Sequence, residues 1–295
     1  MTRNCLLLCV TLVLGVNCKP YDVMVSGSIT VQGSDSAFPF MLDEASYFMD
    51  IYPKATIKIL AGGSAAGLNA LFNGKTQIAV TSYPMDDKAR ALAKTANILP
   101  KEYKVALDGV AVIVNPRNPI AKLTLNELKG IFSGRIKNFK EINGPDLPIR
   151  VFIRTGTSGT YEFFRIAVLG DTGYSAHALP LETSKAIVDS VMNNPAAIGY
   201  IGMGYTYRAY QPLTPEDRVK VLALANDKDS SYVQPNQETV NNKTYPLWRT
   251  LYLYTNGEPK ALDAGFIAFL MSTKGQKIVA ADGLVPAAVS VTIQK

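Results

Sequence analysis

Three short stretches place hydroxyls and glycines where an apolar run gives way to a helical pattern. Arg154-Thr155-Gly156-Thr157-Ser158-Gly159-Thr160 follows the apolar run at 149–153 and precedes residues 161–169, where Phe163, Phe164 and Val168 suit a packed helix. Gln32-Gly33-Ser34-Asp35-Ser36-Ala37 follows Ile29-Thr30-Val31. It opens a helical pattern through Phe38, Met41, Leu42, Ala45, Phe48, Met49 and Tyr52 that Pro53 stops. Gly62-Gly63-Ser64-Ala65-Ala66-Gly67 follows the strand pattern at 57–60 and opens a helix through Leu68, Leu71 and Phe72, with Gly74 just past its end. The first backbone N–H groups of a helix have no intrahelical partner, and the helix dipole favours negative charge beside them. Small residues let an anion approach those groups. Arg154 adds a planar fork of donors suited to a bidentate grip on a tetrahedral oxyanion. One such loop is an ordinary capped strand–turn–helix. Three of them, with one arginine among them, predict a single anion caged by helix ends.

The elements that must position these loops alternate between strand and helix, which implies an α/β fold with a mostly parallel sheet. A strand at 77–81 ends in Ser82-Tyr83-Pro84, and a helix around 86–94 follows, its start marked by the acids Asp86 and Asp87. In such sheets ligands bind beyond the carboxyl ends of strands, where Ser82 and all three loops lie. The β-prone run at 105–114 reads as broken near Asp108-Gly109. Thr124 and Glu127 form a capping box opening a helix through Leu125, Leu128, Ile131 and Phe132, with Gly134 after it. A helix near 183–192 precedes a strand at 198–201. Residues 219–224 read as one return strand, 226–242 as polar loop, and 251–254 as a strand before two final helices.

The 295 residues are 47% hydrophobic and 18% charged, a globular composition with length for two lobes. The net charge of +6 is not gathered into runs or interleaved with aromatics, so no nucleic-acid partner is expected. Residues 1–18 read as a signal peptide, with Arg3 as its charged start and an apolar run at 5–16 too short to span a bilayer. All three cysteines, Cys5, Cys9 and Cys18, lie in this leader, which excludes a cysteine metal site in the mature chain. Leu14-Gly15-Val16-Asn17-Cys18 resembles a bacterial lipoprotein signal in which Cys18 is lipidated, with Asn17 where such boxes usually carry Gly or Ala. The alternative is an ordinary secreted protein.

Taken together, several motifs in order resemble one family. They are Gly33-Ser34-x-Ser36, Gly62-Gly63-Ser64-x-Ala66-Gly67, the stretch from Asp108-Gly109-Val110 to Asn115-Pro116, and Arg154-x-x-x-Ser158-Gly159-Thr160. Later come Ala197-Ile198-Gly199-Tyr200, Tyr245-Pro246-Leu247-x-Arg249, Gly275-Gln276-Lys277 and Gly283-x-Val285-Pro286. Their order and spacing, over nearly all of the mature chain, are similar to those of the phosphate-binding lipoproteins of bacterial phosphate ABC transporters. The resemblance implies a two-lobed, type II periplasmic-binding-protein-like fold with a ligand cleft between lobes. One lobe would comprise residues 27–104 plus 227–295 and the other 105–226, hinged near 105–107 and 221–224 and closing over the anion. It implies an exported protein of the periplasm or cell surface, lipid-anchored and otherwise free of the membrane, and monomeric. That protein would capture inorganic phosphate and deliver it to ABC permease subunits, with no catalysis, cofactor or metal. Matched position by position, Ser34, Ser36 and the Ala37 N–H would form the first phosphate loop. Ser64 would supply the second and Ser82 the strand-end contact, while Arg154, Ser158, Gly159 and Thr160 would form the third. Two positions depart from the pattern: no Arg or carboxylate accompanies Ser82 and Tyr83, and Asp35 stands where many members have Ser. A site preferring phosphate over sulfate needs an acceptor for the phosphate proton. Asp35 is the candidate, its alternative roles being an N-cap or a partner of Arg154.

Other function classes lack their residues. Gly-x-Ser-x-Gly is absent, and His177, the lone histidine, has no nucleophile pattern beside it. Gly74-Lys75-Thr76 hints at a phosphate-binding Walker loop, but Asn69 occupies the position of the required upstream glycine. No HExxH or Cys/His cluster offers a metal site. A binder of another tetrahedral oxyanion (sulfate, molybdate or tungstate) is the alternative that the loops alone leave open. A ligand-free surface scaffold would not need hydroxyls in all three loops.

Overall fold

A computed structural model describes residues 25–207 and 218–287. The expected leader, with Cys18, lies outside the described residues. Strands β1 (Gly27–Gly33), β2 (Ala55–Leu60) and β3 (Ile78–Thr81) run parallel, with β1 in the middle. Helices α1 (Phe38–Ile51) and α2 (Ser64–Phe72) link them. Pro39 lies in the first turn of α1, where its missing N–H had no intrahelical role. The helix ends at Tyr52, because Pro53 disfavours helical geometry in the residue before it. Phe40, Met41, Ala45 and Phe48 form the buried face of α1, and the Phe48 ring meets those of Phe266 and Phe269 at 5.3 and 5.5 Å. Burying each such side chain contributes on the order of 1.5–3 kcal/mol. Gly74 closes α2 in the left-handed conformation at φ 65°, a helix stop rather than part of a Walker loop. Helix α3 (Asp87–Thr95) is capped by Asp86, which accepts from the Ala89 N–H.

Strand β4 (Pro100–Val114) is continuous through Asp108-Gly109, so the break expected there does not exist. Asp108 is buried inside the strand because its charge has a partner across the sheet, described below. After β5 (Lys122–Thr124) the Thr124/Glu127 capping box opens α4 (Leu125–Phe132). Then come β6 (Arg150–Arg154), α5 (Gly159–Phe164) with a wider π turn at Arg165–Leu169, β7 (Leu179–Leu181), α6 (Ser184–Met192), β8 (Ala197–Gly202) and α7 (Gly204–Tyr207). The expected return strand divides at Leu222. Its first part, β9 (Lys220–Val221), pairs with β4, and its second, β10 (Ala223–Ala225), pairs with β5 in a separate ladder. The stretch expected to be loop contains α8 (Gln237–Asn241), which Asn236 caps and only Val240 anchors, too little apolar surface to give a helical period. Strand β11 (Trp248–Asn256), helices α9 (Ala261–Leu270) and α10 (Thr273–Ala281), and β12 (Val285–Pro286) complete the described fold.

The main sheet runs β2-β1-β3-β11-β4-β8-β6-β7. Rather than mostly parallel throughout, it consists of two parallel sets joined by β11 and β4, which are antiparallel to each other and to their outer neighbours β3 and β8. The register explains where the site forms. The last residue of β3, Thr81, lies beside Tyr252, which pairs with Lys104; the last residue of β8, Gly202, pairs with Val110. The carboxyl ends of both parallel sets therefore meet over the middle of β4, and their loops face each other. Among the described residues, no helix is long and apolar enough to cross a membrane.

Candidate functional site

The first loop leaves β1 at Gly33 and is pinned to β3 by the Ser34 N–H, which donates to the Val80 carbonyl at 2.8 Å. A short 3-10 turn, Asp35–Ala37, leads into α1, and Ser34, Asp35, Ser36 and Ala37 are all buried. Within that turn the Ala37 N–H already donates to the Ser34 carbonyl. The second loop is tied to the first by Gly63 N–H to Gly33 O, and Ser64 is the first residue of α2. The Ser64 hydroxyl accepts from the Ser82 N–H at 3.1 Å. The third loop follows β6, and Ser158 caps α5 by accepting from the Thr160 and Tyr161 N–H groups. A tyrosine relay steadies it. The Arg154 N–H donates to the Tyr200 hydroxyl, which bonds that of Tyr174 at 2.8 Å, and Tyr174 donates to the Tyr161 carbonyl. Burial raises both phenols above their ordinary range, so both stay protonated.

These loops converge. Ser34 and Ser82 hydroxyls lie 2.7 Å apart and those of Ser64 and Ser82 3.3 Å apart. Across the cleft Ser36 bonds Thr160 at 2.8 Å, and the Ala65 N–H donates to the Thr157 carbonyl. A Cβ on Gly63, whose φ of 91° suits only glycine, would strike that same carbonyl. One on Gly159 would strike the Ser64 and Ser82 hydroxyls, so glycine is what lets α5 and α2 approach this closely. All ten residues expected to hold the ligand are thus buried where the three loops and the end of β3 meet.

Arg154 is 2% exposed. Its Nη1 donates to Asp35 Oδ2 at 2.9 Å and to the Ser184 hydroxyl at 3.0 Å, and its Nη2 to the Glu182 carbonyl at 2.6 Å. Asp35 Oδ2 also accepts from the Ser184 N–H in the first turn of α6, and the Tyr205 hydroxyl donates to the Asp35 carbonyl. Of the roles open to Asp35 in the sequence, partner of Arg154 is the one this geometry displays. The Nε of Arg154 is buried and has no acceptor among the described residues, leaving a charged donor for an anion.

Sequence reasoning expected one arginine; the structure brings two. Arg249 on β11 stands directly opposite Asp108 on β4 and lies beyond the carboxyl end of β3. Its Nε and Nη2 hold Asp108 Oδ2 at 2.9 and 2.7 Å, Nη2 also reaches the Ser36 hydroxyl at 2.8 Å, and Nη1 reaches the Thr160 hydroxyl at 3.1 Å. Burial pushes the Asp108 carboxyl up, opposed by Arg249 and by the N–H groups of Met203 and Gly109. Ser184 was also missed. The signals were a charge at an inward strand position for Arg249 and a helix start after Thr183 for Ser184. The assembly offers hydroxyl, amide and guanidinium donors and no activated nucleophile. His177 is exposed before β7, and no metal-holding group of acids, histidines or cysteines occurs among the described residues.

A curled sheet of two parallel sets, with donor-rich helix starts facing each other between them, defines a two-lobed solute-binding protein for an oxyanion. Comparison with known proteins agrees. A model of the PBP superfamily domain matches residues 24–274. The phosphate-binding protein PstS of Bacillus subtilis is 34% identical over 262 residues, covering 88% of this chain and 81% of that protein. PstS of Pseudomonas aeruginosa PAO1 is 30% identical over 279 residues, covering 89% and 84%. A Clostridium perfringens structure with bound phosphate, described as a phosphate ABC transporter substrate-binding protein, superposes with a TM-score of 0.78 at 30% identity, covering 88% of this chain and all of that one. The chain belongs to the PBP superfamily and, within it, to the PstS family of phosphate-binding proteins, a family of transport binding proteins rather than enzymes.

Proposed function

We propose that the protein captures inorganic phosphate between its lobes and delivers it to the permease of an ABC transporter. The observation that carries this reading is the meeting of Ser34, Ser36, Ser64, Ser82, Ser158, Gly159 and Thr160 with two buried arginines where the helix starts converge. The PstS relatives, and the Clostridium structure with its bound phosphate, support the choice of anion. Residues 27–104 with 227–295 form one lobe and 105–226 the other, and Ser34, Asp35, Ser36, the Ala37 N–H, Ser64 and Ser82 meet Arg154, Ser158, Gly159 and Thr160 across the closing cleft. The mature protein is exported, monomeric and tethered to a bacterial membrane by lipid on Cys18. Titration calorimetry of ligand-stripped protein with phosphate, sulfate and molybdate tests the anion. Saturable binding with phosphate preferred supports the reading; preference for sulfate or molybdate overturns it.

A further inference from the structure

Arg249 is outside the set of residues that sequence reasoning assigned to the anion, yet two of its bonds decide how two of those residues behave. A guanidinium only donates. The hydroxyls of Ser36 and Thr160 must therefore accept from Arg249, at 2.8 and 3.1 Å. The two hydroxyls also bond each other at 2.8 Å, which uses one hydroxyl proton. One proton of the pair remains, and with the lone pairs facing Arg249 occupied, it is oriented outward as a donor. The Ser34, Ser64 and Ser82 hydroxyls have no guanidinium contact among the described residues; Ser64 accepts from the weaker Ser82 N–H, and either partner of each hydroxyl–hydroxyl contact can be the donor.

We propose that Arg249 is a positioning residue that latches the first loop to the third and presets the Ser36–Thr160 pair as a donor to an unprotonated oxygen of the anion. The inference rests on the phosphate reading. Asp108 makes it possible by holding two nitrogens of the guanidinium from the neighbouring strand, while its other oxygen accepts from the Met203 N–H at 3.1 Å. The Phe163 ring, 5.6 Å from the guanidinium carbon, closes a further side. Arg249 and Asp108 are 3% and 0% exposed, so the protein itself holds the fork in one orientation.

The test is a mutant cycle on phosphate affinity. Removing Arg249 alone would leave Asp108 buried without its counter-charge, which destabilises in its own right. The pair Asp108→Asn and Arg249→Met avoids this, and the asparagine oxygen can still accept from Met203. In an otherwise unchanged protein the pair is expected to lower phosphate affinity at least tenfold. In a Ser36→Ala/Thr160→Ala background, where no hydroxyl is left to orient, it should lower it less than threefold. A merely structural pair would cost the same in both backgrounds, and that result overturns the proposal, as does an unchanged affinity in the first. Near-ultraviolet circular dichroism confirms that each variant is folded. Wild-type protein that does not bind phosphate is a different result, visible before any variant is made, and defeats the phosphate reading itself.

Discussion

Gly159→Ala should hold the cleft open while leaving both lobes intact. Gly159 begins α5, and its backbone conformation is one that alanine adopts readily. The added methyl would collide with the Ser64 hydroxyl, stand 2.6 Å from the Ser82 hydroxyl and 3.0 Å from the Ser64 Cβ. None of these can yield easily, because Ser64 Oγ is held by the Ser82 N–H and Ser82 Oγ by Ser34. Overpacking of this kind costs about 1–3 kcal/mol. The contact exists only when α5 lies against α2, so the cost falls on the closed form alone. A ligand that binds the closed form then loses about 5- to 150-fold in affinity. Calorimetry measures that loss, and small-angle scattering should show a larger radius at a given phosphate concentration, with thermal stability of ligand-free protein little changed. Gly67→Ala is the contrast. Its methyl would collide with the Gln32 carbonyl and the Gly33 Cα within one set of strands, so it should lower stability with or without ligand. Phosphate affinity of Gly159→Ala within twofold of wild type would refute the view that this glycine governs closure.

Arg154→Ala combined with Asp35→Asn, which leaves no lone buried carboxylate, should cost at least about a hundredfold in phosphate affinity, since two charge-assisted hydrogen bonds are each worth about 1.5–3 kcal/mol; near-native titration would remove Arg154 from the site. Because Asp35 already serves Arg154 and Ser184, Asp35→Asn alone should move phosphate and sulfate affinities together; a changed ratio in competition titrations would restore Asp35 as acceptor of the phosphate proton. Glu44 on α1 is fully buried, with no hydrogen-bond partner for either carboxylate oxygen among the described residues, and burial, with Asp282 and Asp43 nearby, raises its pKa from 4.5 to about 9. The unfolded chain then loses this proton well before the folded one, so stability is full below pH 4.5 and falls by up to about 1.4 kcal/mol per pH unit as pH rises toward 9. Glu44→Gln should flatten that decline in denaturant titrations, and an unchanged slope would show that Glu44 is ionised when folded. Cys18→Ser should release the protein from membranes without changing phosphate affinity; mass spectrometry finding an unmodified mature N-terminus other than Cys18 would refute the anchor.

The loops were legible in the sequence because their signals are local: Ser34, Ser64 and Ser158 each stand between an apolar run and a helical period. What was not legible depends on partners far apart in the chain. Asp108 looked like an interruption in an apolar run, since nothing near it in sequence neutralises its charge. Arg249 shares the inward phase of β11 with Leu251 and Leu253, a place where an unpaired charge would be costly. Each is anomalous alone, and only the register of β4 against β11 turns two anomalies into one ion pair. The same holds for Asp35, whose type allowed several roles until α6 and Arg154 were brought beside it. Residue 222 hid its strand break for a related reason: 219–224 is β-prone and apolar but for Lys220, with no breaker residue in it, yet its backbone serves two different ladders.

The position of β11 in the sheet has a consequence for the order in which the chain can fold. The strand that joins the two parallel sets comes from residues 248–256, late in the chain. Until it is available, β3 and the first half of β4 each present an open edge, and the ion pair at Asp108 has only one member. Non-local pairing of this kind closes slowly, because a long loop must be ordered before any contact rewards it. A polypeptide still emerging from a ribosome therefore cannot complete its sheet or its binding site. For an exported chain of the kind proposed above, late arrival of the central strand would keep the nascent protein in a form that can still be threaded across a membrane.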